Sequence, residues 1–299
     1  MTIAMCYVSP EGVVLGADST SSAPVQPASE LLGFRYFNYH QKVFELSDAT
    51  ETGTLGVITW GMGGIGEKSY RTLFALLVDD LKHRPTKNVA EVAARWRDLF
   101  WGQYSTSSPV LECQRLAAKA AFDENAVTPG PNVRTKDEQQ RFEWLKSEVV
   151  VGFCIAGYWL PDRTPMAFEI PFDPLAGMPK PRQIPQNHYK FWGTPNMVRS
   201  VMFGWDEPVK EAILNSGKWS GTETELTDVL DQQRFAYVVL PIREAIDFVH
   251  ACIHSTIKAL KFSTLVQAGA GPIELAVITS DRRFRWVRHK ALDAAIAEE

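Results

Sequence analysis

The sequence predicts an α+β fold in a single domain, with stacked β-sheets held between layers of helices. Three observations carry this. Short apolar runs bounded by turn signals lie at both ends and in the middle of the chain, segments of helical period come in pairs between them, and no stretch has the composition of a linker between separate cores. The strand segments are apolar on more than one face, the pattern of sheets covered on both sides. At 299 residues, 45% hydrophobic and 22% charged, the chain can bury one large core.

Residues 2–8, the turn Ser9-Pro10-Glu11-Gly12 and residues 13–18 read as a hairpin, because Ser, Pro and Gly at the first, second and fourth positions suit a type I turn. A polar, proline-containing stretch to about Tyr39 reads as a loop, including the run Ser19 to Ser22, and residues 42–46 and 53–60 read as a second strand pair. From Gly66 the period changes: Tyr70, Leu73, Phe74, Leu77 and Leu81 recur at three- and four-residue spacing, and a second helix is expected over 89–104. Residues 105–147 are polar, contain Pro129-Gly130-Pro131-Asn132 and read as a helical insertion with a mobile loop. Strands are expected at 148–159 and 166–170, with another ending near Trp192. Helices are expected at about 195–216 and 241–262, the latter with Pro241 in its first turn. Strands at 272–279 and 284–288 close the fold.

Several function classes are disfavoured. The formal net charge of −4 gives no reason to expect nucleic acid, and the basic run 282–290 is broken by aromatic and aliphatic residues, as in an edge strand with solvated charges. Cys6, Cys113, Cys154 and Cys252 form no C-x-x-C pair, which argues against a zinc knuckle or a redox motif and suits reduced thiols in the cytoplasm. The first residues carry no positive n-region, and Glu11 and Asp18 interrupt any apolar core of signal-peptide length. The longest apolar stretch, 149–160, is too short to span a bilayer, so no membrane partner is expected. His250 and His254 stand at i, i+4 without an HExxH glutamate, so no zinc site is expected there, and the nine scattered tryptophans are assigned to core and interfaces.

The chemistry centres on Thr2. Initiator Met is normally removed before a small residue, which would leave a threonine whose hydroxyl and α-amine share one residue, the amine serving as general base with a pKa of roughly 7.7–8.0. Alone, a second-position threonine equally fits a frayed strand. Asp18 ends the hairpin and Lys42 opens the next strand; an out-and-back hairpin returns the chain to its start, so both are expected at the sheet end that carries Thr2. A lysine held there by the aspartate would lower the hydroxyl pKa and keep the amine neutral. Taken singly, Asp18 also fits a turn and Lys42 a surface charge. The run Trp60-Gly61-Met62-Gly63-Gly64, between a strand and a helix, has amides suited to an oxyanion, whereas Lys68 stands at the wrong spacing for a phosphate-binding loop.

Together these segments resemble the opening of proteasome β-type subunits, N-terminal-nucleophile (Ntn) hydrolases, and are most similar to the bacterial proteasome homologues. Val151-Gly-Phe-Cys-Ile-Ala-Gly-Tyr158 with Met166-Ala-Phe-Glu-Ile170 resembles the family's central hairpin, Phe191-Trp-Gly-Thr194 the strand before its third helix, and residues 245–249 and 271–278 its closing helix and strand. The resemblance covers the chain outside 105–147 and implies a four-layer αββα sandwich. It also implies assembly into homo-oligomeric rings or related assemblies, no cofactor, and cleavage of a peptide or small amide, with an unfoldase as an optional partner. It assigns Thr2 as nucleophile, Lys42 as its tuning lysine, Asp18 as the acid that positions the lysine and Gly61 as the oxyanion donor. Residues 22–39 become an insertion beside the site. Two departures stand out: no acid occurs in Lys261 to Gly271, where active members carry one, and Trp159 follows Gly157-Tyr158 in place of another. Ser19, Thr194, Ser263 and Thr264 are the candidate supporting hydroxyls. The alternatives are an inactive or weakly active scaffold subunit and an acyl-transferring amidase or ligase.

Overall fold

The computed structural model describes residues 2–25, 33–37, 39–46, 53–66, 68–124, 130, 132–194, 196–232, 239–263 and 271–290. Among them are twelve strands and eight helices, with two five-stranded antiparallel sheets. The chain divides into two compact units, residues 1–42, 187–277 and 286–299 in the first and residues 43–186 and 278–285 in the second.

In the first unit β1 (Ile3–Ser9) and β2 (Gly12–Ala17) form the expected hairpin, closed by the pair Ser9↔Gly12. Alternate residues Ile3, Met5 and Tyr7 share a core with Val14 and with Val249 and Ile253 of a later helix, so the period of two puts one face of β1 on that helix. Further along come β3 (Ser21–Val25), β4 (Gly33–Phe37), β10 (His188–Gly193), β11 (Glu274–Thr279) and β12 (Arg282–Arg288). The sheet order is β10-β1-β2-β11-β12, so β12 is an edge, and its exposed arginines match the reading of solvated charges. The helices are α5 (Asn196–Phe203), α6 (Glu207–Asn215), α7 (Glu223–Asp231) and α8 (Ile242–Phe262).

The second unit holds β5 (Val43–Glu45), β6 (Gly53–Gly61), β7 (Val151–Trp159), β8 (Met166–Phe172) and β9 (Arg182–Ile184), in that order across one antiparallel sheet. Its helices are α1 (Tyr70–His83), α2 (Val89–Tyr104), α3 (Ser108–Ala117) and α4 (Lys136–Glu148). The five periodic residues of α1 named above are its buried ones. Phe153 of β7 is wholly buried and meets the rings of Phe100 at 4.7 Å, Trp96 at 4.8 Å and Tyr70 at 5.2 Å, which makes the helix–sheet contact largely aromatic. Arg134 ties α3 to α4 by donating to the Leu116 and Lys119 carbonyls at 2.8 and 2.9 Å while its guanidinium lies 4.0 Å over the Phe142 ring. No helix among the described residues is long and apolar enough to cross a membrane.

The structure corrects several sequence expectations. The stretch expected as loop to Tyr39 contains the antiparallel pair β3–β4, with Pro24 opposite Phe34; a two-stranded ribbon tolerates a proline that a central strand would not. The expected helix over 195–216 is two helices, because Asp206 caps α6 by accepting from Val209 N–H and Pro208 occupies the first turn. The strand expected from residue 148 begins at Val151, since α4 runs to Glu148 from a capping box made by Thr135 and Glu138. Pro241 is the N-cap of α8 rather than a first-turn residue. Strand β9 and helix α7 were not expected. The mobile loop expected around Pro129 lies largely outside the described residues.

Candidate active site

The two ends of the β1–β2 hairpin clasp each other through Asp18. Its N–H donates to the Ile3 carbonyl at 3.0 Å, and the Ile3 N–H donates back to Asp18 Oδ1 at 2.8 Å. The same Oδ1 accepts from Lys42 Nζ at 2.6 Å, and Oδ2 accepts from the Thr20 N–H at 3.1 Å. Three donors thus converge on a carboxylate with no solvent exposure, and Lys42 is almost as deeply buried. Burial pushes the Lys42 ammonium below the usual lysine range, opposed first by Asp18 and then by Glu274. A charge-assisted bond this short is what offsets the desolvation of the pair.

Thr2 immediately precedes Ile3, so the Thr2–Ile3 peptide lies against the Asp18 carboxylate. Thr2 is 4% exposed. On its other side β10 pairs with β1 through Ile3↔Gly193. Gly193 has φ +90°, and a Cβ there would stand 1.6 Å from the Thr2 carbonyl oxygen, so only glycine admits this approach. Thr194 stands one step beyond that last pair, at the sheet end carrying Thr2, with its Oγ1 buried and without a hydrogen-bond partner among the described residues.

Ser19 is buried; its hydroxyl donates to the Pro272 carbonyl at 2.6 Å, and its carbonyl accepts from the His40 N–H at 2.9 Å. Its oxygen atoms therefore bind the segments before β5 and β11 to the end of the hairpin. Gly61 belongs to the second unit, where it ends β6, exposed, with φ +85°; a Cβ would meet the Val150 carbonyl at 2.2 Å, so the backbone itself requires glycine there. Ser263 is exposed and its hydroxyl donates to the Leu260 carbonyl, closing the last turn of α8. Thr264 lies outside the described residues.

Sequence reasoning missed four residues around the lysine. Glu274, the first residue of β11, has no exposure; its Oε2 accepts from the Lys42 backbone N–H at 3.3 Å, and its Oε1 stands 3.2 Å from His289 Nδ1 and 3.6 Å from Lys290 Nζ. Lys290 Nζ donates to the His40 carbonyl at 2.7 Å, and burial lowers its pKa against the pull of Glu274. The His40 imidazole is pushed below 6.5 by burial and by the charges of Lys42 and Lys290. A signal existed for Glu274: a lone carboxylate inside the apolar run Ile273-Glu-Leu-Ala-Val277 is rare unless it is paired. Among the described residues no group of three His, Cys, Asp or Glu is placed to hold a metal ion. His250 and His254 stack at 5.8 Å, with the Arg288 guanidinium 3.1 Å from His250 Nε2, a cation where a metal ligand would need none.

No family model matches the chain, and none of the curated proteins matches it in sequence. Among solved structures it is similar to an Anbu (Gly-1) mutant from Hyphomicrobium sp. strain MC1, with a TM-score of 0.53 and 12% identity over 100% of this chain and 95% of that one. At that identity the likeness is one of fold alone.

Proposed function

We propose that the chain is a threonine-type amide hydrolase in which Thr2, made the first residue by removal of Met1, is the nucleophile. The observation that carries this reading is the buried Lys42–Asp18 pair, whose carboxylate also holds the peptide joining Thr2 to Ile3. The Thr2 amine takes the hydroxyl proton as Oγ1 attacks the substrate carbonyl carbon. The proton passes to the departing amine, leaving an ester on Oγ1. Water then attacks the ester, its proton goes to the Thr2 amine and on to Oγ1, and the acid is released. Lys42, kept charged by Asp18, favours the developing alkoxide and disfavours a second positive charge on the α-amine. The Thr194 hydroxyl, buried at the sheet end that carries Thr2, is the candidate acceptor for a hydrogen bond from that amine. The substrate class is a peptide or small amide, and the reading includes a homo-oligomer working in the cytoplasm.

The test is Thr2→Ala: turnover of a panel of peptide amides should fall by about three orders of magnitude or more while oligomer size is kept. Unchanged turnover refutes the assignment. One observation favours the second reading, a non-catalytic scaffold subunit: at 4% exposure Thr2 offers a substrate little surface before Met1 is removed. Retention of Met1 in the intact mass would select that reading.

A further inference from the structure

We propose that Glu274 is a positioning residue for the Thr2 chemistry: its buried carboxylate, held between the Lys42 amide and the His289–Lys290 pair, fixes where Lys42 enters the site and keeps its ammonium charged. This rests on the function proposed above and deepens it.

The first support is geometric. Segment 272–274 is tied to the site at two points, by Ser19 Oγ on the Pro272 carbonyl at 2.6 Å and by the Lys42 N–H on Glu274 Oε2 at 3.3 Å. Lys42 is the last residue before β5, so the second tie sets the point from which its side chain reaches Asp18. A packing role alone would be met by an apolar residue, as at the neighbours Ile273 and Leu275; a fully buried carboxylate is retained at a desolvation cost that only its charge explains.

The second support is charge balance. The groups facing this cluster are Asp18 after β2, His40 and Lys42 before β5, Glu274 on β11, and His289 and Lys290 after β12. Asp18 and Glu274 set two carboxylates against the ammonium groups of Lys42 and Lys290. Without Glu274, two buried lysines face Asp18 alone. Lys42 is already weakened as a base by burial, and the excess positive charge would drive it to release its proton. An uncharged Lys42 no longer favours the Thr2 alkoxide.

The experiment compares the full-length native protein with Glu274→Gln, which keeps shape and an oxygen acceptor for the Lys42 N–H but removes the charge. Two quantities are followed against pH: the Lys42 15Nζ resonance, assigned by its loss in Lys42→Met, and the rate at which a threonine-directed epoxyketone labels Thr2. The expected result is that the Lys42 titration and the alkaline limb of labelling both move down by about one pH unit, a tenfold change in the ionisation constant. The double variant Glu274→Gln/Lys290→Met restores charge balance and should return both towards native, and it carries the comparison if the single variant fails to fold. Lys42 titrations that superimpose in native and variant proteins overturn the proposal, as does a double variant in which Lys42 titrates well below native. A native protein that takes no label at Thr2 refutes the hydrolase reading and the catalytic half of this proposal, while the lysine titration still decides the electrostatic half.

Discussion

Asp18→Asn removes one charge and almost no volume, so its effect isolates the buried ion pair. Asp18 has no exposure and the Lys42 side chain 4%, so the variant leaves an ammonium in the interior without the carboxylate that lies 2.6 Å away in the native protein. Removing one member of a buried pair costs about 3–5 kcal/mol. Asp18 also accepts from the Ile3 and Thr20 N–H groups on its two oxygens, and asparagine can serve only one of them; the other loses its acceptor at roughly 1–3 kcal/mol. A loss of about 4–8 kcal/mol at pH 7 is a large part of the stability of an ordinary domain. The pH dependence has a definite sign. The unfolded chain holds the Lys42 proton up to about pH 10.4, whereas the folded variant, with burial unopposed by its main attraction, gives it up earlier. In that window the unfolded state binds more protons, so stability rises with pH. Urea unfolding followed by circular dichroism at pH 7 and pH 9 should show the variant far below native at the lower pH and recovering at the higher one. The double variant Asp18→Asn/Lys42→Met should be more stable than Asp18→Asn alone. A deficit under about 1 kcal/mol at pH 7, or one that does not narrow as the pH rises, would refute the account of the pair.

Other expectations follow from single contacts. Gly193→Ala places a Cβ 1.6 Å from the Thr2 carbonyl at φ +90°, so β10 must separate from the Thr2 end of β1; unfolding should show a loss of roughly 3 kcal/mol, and amide exchange should rise selectively where β10 pairs with β1. Phe153→Ala, at the centre of the aromatic cluster on α2, should cost about 3–5 kcal/mol in denaturant unfolding, and a loss below 1 kcal/mol would mean the ring is not packed as described. His40, lowered by burial and two lysines, should titrate below 6.5 by proton NMR; because the unfolded chain takes up that proton first, its contribution to stability is complete above about pH 6.5 and falls as the pH drops through that value. Replacement by Gln should flatten that part of the stability profile.

Helices α1 and α2 were legible because Tyr70 to Leu81 repeat with a helical period and Val89 to Tyr104 keeps one buried stripe. The meeting of Asp18 with Lys42 was legible for a topological reason: a hairpin brings its second end back to its first, and the next strand opens nearby. Ribbon β3–β4 was hidden by Ser21, Ser22 and Pro24, residues that signal turns locally and here sit in a two-stranded ribbon. Glu274 was missed because an acid was sought in 261–271, and the buried carboxylate stands three residues beyond Gly271, at the entry to an apolar strand. Lys290 and His289 were read as solvated charges at the end of an edge strand; the burial of Lys290 depends on Glu274 in the neighbouring strand and on the His40 carbonyl, 250 residues away in sequence. Long-range pairing of this kind leaves no local periodicity to read.

The central claim is that a hydroxyl and a free amine share Thr2 beside a charged Lys42. Intact mass followed by peptide mapping, after exposure to a threonine-directed electrophile, tests it most directly. The account predicts a chain lacking Met1 that carries a single adduct on Thr2, with the adduct lost in Lys42→Met. A chain that keeps Met1, or an adduct mapped to any other residue, would contradict it.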